Sequence, residues 1–382
     1  MTTFKYDQIL DSIWGAALMA GGGGGSLQYG LDLLESYMHV HTLEPEDVSI
    51  TVIDPHGIPA ENYAGVTAGI GAPTAIQGDF SPYVKNAFAL LQSLAAQATP
   101  PRAITYSMAV ELGGFNTFIP MLVALAQGIP LVDADGSGRA VPALNTTLLA
   151  VNGNNASPIG LVDNNNNQVI LALQDPKDAQ LAETLARQVA VGFGNICGLS
   201  GWMIHKDALI NTVATGSISL CQKIGAVLRD SSITDKFGEL KQRGIVSCRK
   251  VCSATISAGA SKEQDGFDRG FVEYTANGTS YKTVFQNETL LIQSAGEVLM
   301  TAPDIIACYD QQSGRPLTNA DLFDAQGKVK QGLPPVALGL IAVDQQWWNQ
   351  DYEVINALWQ EYFKPDYNGD IKRFTDTDVA CV

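Results

Sequence analysis

Two apolar runs in the sequence each stop at a carboxylate and then at glycine. They are Ala109-Val110-Glu111-Leu112-Gly113-Gly114 and Leu131-Val132-Asp133-Ala134-Asp135-Gly136-Ser137-Gly138-Arg139-Ala140. The stretch between them, Gly114 to Gly128, reads as one helix, so the segment is a βαβ unit with acids at the carboxyl ends of both strands. That edge is where open α/β sheets bind ligands. Adjacent parallel strands lie about 5 Å apart, and carboxylates crowded at such spacing raise one another's pKa and supply a base near neutral pH. Turn-capping acids have the same pattern, because Asp135 precedes Gly136 and Arg139 is a ready ion-pair partner. The expectation is that at least one of Glu111, Asp133 and Asp135 belongs to the site, either moving protons or holding a metal.

The five glycines Gly21 to Gly25 are the second signal. A phosphate loop requires GxxxxGK[ST], and no lysine follows. A dinucleotide fingerprint requires a strand before its glycines, whereas a helix precedes these. The run allows close backbone approach and positive φ, and the amides of the helix that follows, with Ser26 as N-cap, suit an anion or a polarised carbonyl. A flexible link between two helices is the plain alternative. In the second half, Glu288 and Asp304 each stand against apolar strand sequence, either facing a cleft or simply ending strands. His39, His41, His56 and His205 form neither HExxH nor another zinc spacing. No GxSxG elbow occurs, and Cys248 and Cys252 lack a second ligand pair. Cys197, Cys221 and Cys308 read as buried, inert thiols.

These groups are positioned by elements that change character along the chain. An amphipathic helix spans 7–20, a second begins after Ser26, a strand runs from Val48 to Asp54, and a helix over 84–96 leads into the strand at 103–111. Strands alternate with helices to about residue 150, the pattern of a helix-covered parallel sheet. Asn152-Gly153-Asn154-Asn155 and Asn164 to Asn167 are turn-rich, so the domain boundary is expected there. A strand (169–173) and helices (177–191, 216–228) follow, then short β-runs from Gly244 to about Val343, then a helical tail. The predicted architecture is α/β: an N-terminal three-layer domain with a parallel or mixed sheet over 1–165, a β-rich C-terminal domain over 166–365, and a loosely ordered tail over 366–382.

Composition bounds the function. A net charge of −16 argues against nucleic acid and anionic membranes as partners. With 16% charged and 46% hydrophobic residues, much surface is expected to be buried, pointing to a homo-oligomer that acts on a small molecule. No run of 18 apolar residues is free of breakers, so no spanning helix is predicted. The N-terminus lacks a signal-peptide pattern. The six cysteines therefore read as reduced thiols and the location as cytoplasmic, with the sequons at Asn145, Asn155, Asn277 and Asn287 unused.

Several blocks in order carry a resemblance: Gly21 to Gly25, Gly71-Ala72-Pro73-Thr74, Glu111-Leu112-Gly113-Gly114-Phe115-Asn116, Asp133 to Ala140, Pro142, Gly216-Ser217-Ile218-Ser219, Phe285-Gln286-Asn287-Glu288 and Pro303-Asp304-Ile305-Ile306. Over about residues 8–350 the chain resembles the DUF917 family, also called the S-methyl-thiohydantoin desulfurase family. The resemblance implies an α/β domain followed by a β-rich one. It also implies removal of sulfur from a five-membered thiohydantoin ring to leave a hydantoin. A related desulfhydrase of ergothioneine breakdown acts on a thiohydantoin bearing a propionate arm. The chain departs from the family pattern at Ala75-Ile76-Gln77-Gly78-Asp79, where Glu-Lys is common, and at Ser26.

The mechanism this implies has water attacking the ring carbon that bears sulfur. Glu111 or Asp133 is the expected base, with Asp135 beside them, and glycine-loop amides and Arg139 are the expected donors to the developing charge. Gly22, Gly23, Gly24, Gly25, Ser26, Asn116, Asn287, Glu288 and Asp304 are expected to hold the substrate. The sequence identifies no cofactor. A divalent metal on Asp133, Asp135 and Glu288 is an alternative way to activate the water, and a Cys308 thiol nucleophile a further one. Two other functions compete with desulfurisation: a hydantoinase- or amidase-like C–N hydrolase, and a non-catalytic ligand-binding or regulatory protein.

Overall fold

The computed structural model describes residues 1–76, 78–264 and 267–375. Gln77, in the departure from the family pattern, and residues 376–382 of the expected loose tail lie outside the described residues.

The described residues form a mixed nine-stranded sheet and an antiparallel eight-stranded sheet. This is the expected α/β domain followed by a β-rich domain. The first sheet comprises β1 (Thr2–Lys5), β2 (Ser49–Ile53), β3 (Asn62–Gly71), β4 (Ala103–Ala109), β5 (Leu131–Asp135), β6 (Ile159–Val162), β7 (Gln168–Leu171), β8 (Ile196–His205) and β9 (Ala214–Thr215). Its order is β1-β2-β5-β4-β3-β8-β6-β7, with β9 on β5. β2, β5, β4 and β3 run parallel, and antiparallel strands extend both edges. Helices of this part are α1 (Tyr6–Met19), α2 (Leu27–His41), α3 (Ser81–Ala96), α4 (Phe118–Gln127), α5 (Leu148–Val151), α6 (Ala179–Gly192), α7 (Lys206–Asn211) and α8 (Ser217–Arg229).

The βαβ unit forms as its sequence predicts. β4 and β5 are parallel neighbours, with Ala109 opposite Asp135. The intervening helix is shorter than expected, starting at Phe118 rather than Gly114. The reason is local: the Phe115 and Asn116 amides donate to the Gly24 carbonyl (3.3 and 3.2 Å), so the chain there is held as a turn. From Phe118 to Ala124 every residue of α4 is buried. This explains why that helix shows no polar face.

The first sheet continues past the boundary expected near residue 165. Asn164 to Asn167 is the turn of the β6–β7 hairpin, not a linker. The Asp163 carboxylate accepts from the Asn165 and Asn167 amides and from Asn167 Nδ2, so one aspartate side chain ties the asparagine backbone into a tight reversal. The first sheet ends at Thr215 and the second begins at Cys248, with α9 (Lys236–Gln242) between them.

The second sheet contains β10 (Cys248–Gln264), β11 (Phe267–Ala276), β12 (Thr279–Gln286), β13 (Glu288–Ser294), β14 (Glu297–Thr301), β15 (Ile305–Asp310), β16 (Pro316–Leu317) and β17 (Val336–Ile341). The order is β14-β13-β12-β11-β10-β17-β15-β16. Asn277 and Gly278 both have positive φ and close a two-residue hairpin between β11 and β12, the geometry an Asn-Gly pair favours. α10 (Asn319–Leu322) and α11 (Tyr352–Phe363) complete the fold. α11 reaches back to the first sheet's side, where Tyr362 donates to Asn145 Oδ1. Residues 366–375, expected to be loose, are tied down. Thr301 and Lys372 exchange hydrogen bonds, and the Phe374 amide and Arg373 Nε donate to Asp304 Oδ2. Among the described residues no helix is long and apolar enough to cross a membrane.

α1 is fixed by close packing on α8. A Cβ at Gly15 would lie 1.8 Å from the Cys221 carbonyl oxygen, and one at Gly225 would lie 1.8 Å from that of Asp11. Arg229 adds an ion pair to Asp11 (2.5 Å) beside that crossing. Gly225→Ala would gain about 1 kcal/mol of helix propensity. Forcing the helices apart costs more, about 2–4 kcal/mol, so a net fall in the urea midpoint is expected. An unchanged midpoint would show that the crossing yields freely.

Candidate functional site

The glycine run joins α1 to α2 and lies between the two domains. Gly21, Gly22, Gly24 and Gly25 have φ of 62°, 99°, 63° and 76°, a region side chains resist. Gly23 has ordinary φ but no room: a Cβ there would lie 2.2 Å from Glu288 Oε1. The run's carbonyls are stapled to both domains. Thr289 N–H donates to Gly21 O, Asn319 N–H to Gly22 O, and the Phe115 and Asn116 amides to Gly24 O. The amides of Gly22, Gly23 and Gly25 have no partner among the described residues. Ser26 caps α2 by accepting from the Tyr29 amide (3.3 Å).

Glu111 stands just beyond the end of β4. Its Oε1 accepts from Asn116 Nδ2 (2.5 Å) and its Oε2 from the Val141 amide (2.8 Å). Burial pushes its pKa up to about 7, while those two hydrogen bonds to the charged form restrain the rise. Glu288 opens β13 and is 2% exposed. Burial and then the Glu111 charge push its pKa well above the carboxylate range, against the pull of Arg139. Its Oε2 is buried without a partner. Glu111 is thus poised near neutrality, while burial and the Glu111 charge favour the protonated form of Glu288.

Both groups line one cleft of about 1030 Å³. Its wall includes Gly22 to Ser26, Asn116, Asn287 and Asn319, the Ala68–Ala75 segment at the end of β3, and Glu183 and Arg187 of α6. Arg187 Nη2 and Nε both bond Glu183 Oε1 (2.7 and 3.1 Å), and its guanidinium lies 5.0 Å from the Phe267 ring centroid. Asn287, at φ 55°, holds the Asp268 amide through its Oδ1 and accepts from Asn319 Nδ2 at its carbonyl.

Two family models match this chain: "S-Me-THD-like, N-terminal domain" over residues 7–172 and "S-Me-THD-like, C-terminal domain" over 176–328. The chain belongs to the S-Me-THD-like family. The family's name points to an enzyme and to thiohydantoin-related chemistry. Its two models meet at 172–176, inside the first sheet rather than between the sheets. A crystal structure of a protein from Chromobacterium violaceum has a TM-score of 0.83 at 20% identity, covering 98% of this chain and 100% of that one. At that identity the likeness carries the fold. No curated protein is significantly similar in sequence.

The S-Me-THD-like cleft gathers Glu111, Asn116, Asn287, Glu288, Gly22 to Gly25 and Ser26. It does not gather Asp133, Asp135, Arg139 or Asp304, which are absent from its wall. Asp133 and Asp135 stand two apart on β5 and so share a face, and that face meets the N-terminus of α8. Asp133 accepts from the Ser219 amide (2.8 Å) and hydroxyl (2.5 Å), where the helix dipole favours a negative charge. Asp135 Oδ2 accepts from the Ser137 and Gly138 amides (both 2.8 Å). Burial pushes Asp135 up to about 7, against the lowering influence of the nearby Ser217 hydroxyl and those two amides. The Ser217 hydroxyl stops short of a full hydrogen bond, leaving Asp135 Oδ1 unpartnered.

Asp304 is also structural, its oxygens taken by Val343 N–H, Arg373 and Phe374 N–H. The metal set Asp133, Asp135 and Glu288 does not assemble. The described residues contain no group of three or more His, Cys, Asp or Glu able to hold a metal ion. Cys308 lies outside the main cleft, and burial pushes its thiol up to about 12, far from a thiolate.

Sequence reasoning missed Glu183, Arg187 and Trp202. The first two are one turn apart on an ordinary amphipathic helix, and nothing local marks them. Trp202 lines the cleft at φ 44° with its buried indole N–H unpartnered. Its position comes from an irregularity in the β3–β8 pairing, which no single-strand pattern reveals.

The folded pKa of Glu111, about 7, exceeds its ordinary 4.5. The folded protein therefore binds the extra proton, and this group's contribution to stability falls as pH rises from about 4.5 to about 7. Glu111→Gln should gain on the native chain across that window by on the order of 3 kcal/mol, on top of a constant cost from the lost Val141 acceptor. Urea unfolding of both proteins at about pH 5 and pH 8 measures it, and parallel pH profiles would contradict the burial account.

Proposed function

We propose that this chain hydrolyses the carbon–sulfur bond of a thiohydantoin-type ring, leaving a hydantoin and releasing sulfide or, from an S-methyl ring, methanethiol. One observation carries this reading: two buried carboxyl groups, both raised by burial but Glu288 further than Glu111, line a single cleft with unpartnered glycine amides. Titratable groups pushed apart in this way mark base and acid.

In the reaction, Glu111 accepts a proton from water as the oxygen attacks the ring C=S carbon. The thiolate of the tetrahedral intermediate meets the Gly22, Gly23 and Gly25 amides, preorganised donors that need no rearrangement when the charge appears. Glu288 donates its proton to that sulfur. On collapse, the new hydroxyl returns a proton to Glu288 as C=O forms and hydrosulfide leaves, and Glu111 returns its proton to the hydrosulfide. The balance is C=S plus water giving C=O plus hydrogen sulfide. Asn116 keeps Glu111 oriented, and Gly23 leaves the space that Glu288 occupies.

Sulfide release from a panel of thiohydantoins, with and without acidic side arms, tests the proposal. Glu111→Gln and Glu288→Gln should each lower kcat by about 10²-fold or more, whereas Asp133→Asn should keep turnover while losing stability. kcat/KM should rise with pH through about 7 as Glu111 ionises and fall again in alkali as Glu288 does. Ring opening without sulfide would indicate a C–N hydrolase instead. Ligand-induced melting shifts without turnover of any member would indicate a binding protein. Full activity in both glutamine variants would remove these residues from the mechanism.

A further inference from the structure

Arg139 is fully buried in the interface between the two sheets, and all four hydrogen bonds that its guanidinium donates go to main-chain carbonyls. Nε donates to Ala140 O (2.7 Å), Nη1 to Pro303 O and Asp304 O (2.9 and 3.0 Å), and Nη2 to Thr289 O (3.1 Å). Its guanidinium carbon lies 5.4 Å from the Trp359 ring centroid. A bridge between domains does not require a buried cation, since apolar side chains of similar size do that work without the desolvation cost.

What sets Arg139 apart is the company of its short segment. Leu112 N–H donates to the Arg139 carbonyl. Two residues on, the Val141 amide holds Glu111 Oε2. On the far side the guanidinium holds the carbonyl of Thr289, the residue after Glu288. One three-residue stretch thus holds the Glu111 carboxylate in one domain and, in the other, the main chain next to Glu288. We propose that Arg139 is the positioning residue that holds Glu111 and Glu288 across the domain interface as one coupled acid–base pair. The inference rests on the reading of those groups as base and acid.

Its charge acts in the same sense. Burial pushes the Arg139 pKa down to about 10, resisted by the negative charges of Glu288, Asp304 and Glu111 and reinforced by Arg373. Glu183 and Asp135 act on Glu111 as further negative charges. Removing the cation withdraws the attraction that favours ionised carboxylates, so both glutamates become harder to ionise. An interface that merely loosened would admit water and shift both in the opposite direction, back toward the ordinary carboxylate range. The sign of the change therefore separates this role from a purely structural one.

The test uses the full chain without ligand, labelled with ¹³C-glutamate and titrated by NMR. The two signals are assigned through Glu111→Gln and Glu288→Gln. In Arg139→Lys the titrations should stay near those of the parent protein. In Arg139→Met both should move up by about one pH unit or more. Should Arg139→Met fail to fold, Arg139→Gln removes the charge while keeping an amide donor for the carbonyls. Carboxyl titrations that fall or stay fixed in the neutral variants, or a lysine variant that behaves like them, would overturn the proposal. No substrate enters the measurement, so its outcome is independent of whether sulfide is released.

Discussion

The site depends on backbone-to-backbone contact at the glycine run. Gly24 and Gly113 approach so closely that a Cβ on Gly113 would lie 2.0 Å from the Gly24 carbonyl oxygen. This contact lets that carbonyl take the Phe115 and Asn116 amides, which orients Asn116 toward Glu111. On its other side the run leaves at Gly23 the space that the Glu288 carboxyl fills. The two ends of the run are fixed independently, by the α1–α8 crossing and by the Ser26 cap of α2. Five consecutive glycines are thus a structural requirement rather than a flexible joint: four occupy left-handed φ and the fifth lacks space.

Desolvation then separates the acids. Glu111, Glu288 and Asp135 are all pushed up by burial, but their surroundings differ. Glu111 receives two donors to its charged form and stays near neutrality. Glu288 has an unpartnered oxygen and the negative charge of Glu111 nearby. Asp135 has a pKa similar to that of Glu111, yet it serves a loop turned away from the cleft. A perturbed pKa is therefore no site marker by itself; access to the cleft separates the two.

The domains are separate sheets joined by the C-terminal segment as well as by the chain between them. α11 and the segment to Thr375 fold back across the interface, with Asp304 anchoring Arg373 and the Phe374 amide. Asp304, expected to hold substrate, instead locks this return. Carboxylates at strand ends look alike in a sequence whether they face ligand or backbone amides.

Much of the fold was legible in the sequence because it rests on local physics. The βαβ unit around Glu111, the helix after Ser26, the Asn277-Gly278 hairpin and the β-rich second half follow from periodicity, capping and turn preferences. That Glu111 and the glycine run line the cleft was legible for the same reason: an acid at a parallel strand's end and an improbable run of glycines are local features. Other elements required tertiary structure. β3 reads poorly because its Ala and Gly residues (Asn62–Gly71) fit only where Phe88, Leu91 and Phe115 cover it. The asparagine turn at 164–167 resembled a linker because a hairpin and a domain boundary use the same residues. Which carboxylates meet depends on the face each strand end presents and on what packs there. Long-range packing turned Asp133 and Asp135 toward α8, left Glu288 opposite Glu111, and enclosed Arg139 behind them, because burial and proximity are properties of the assembled interface and of no segment alone.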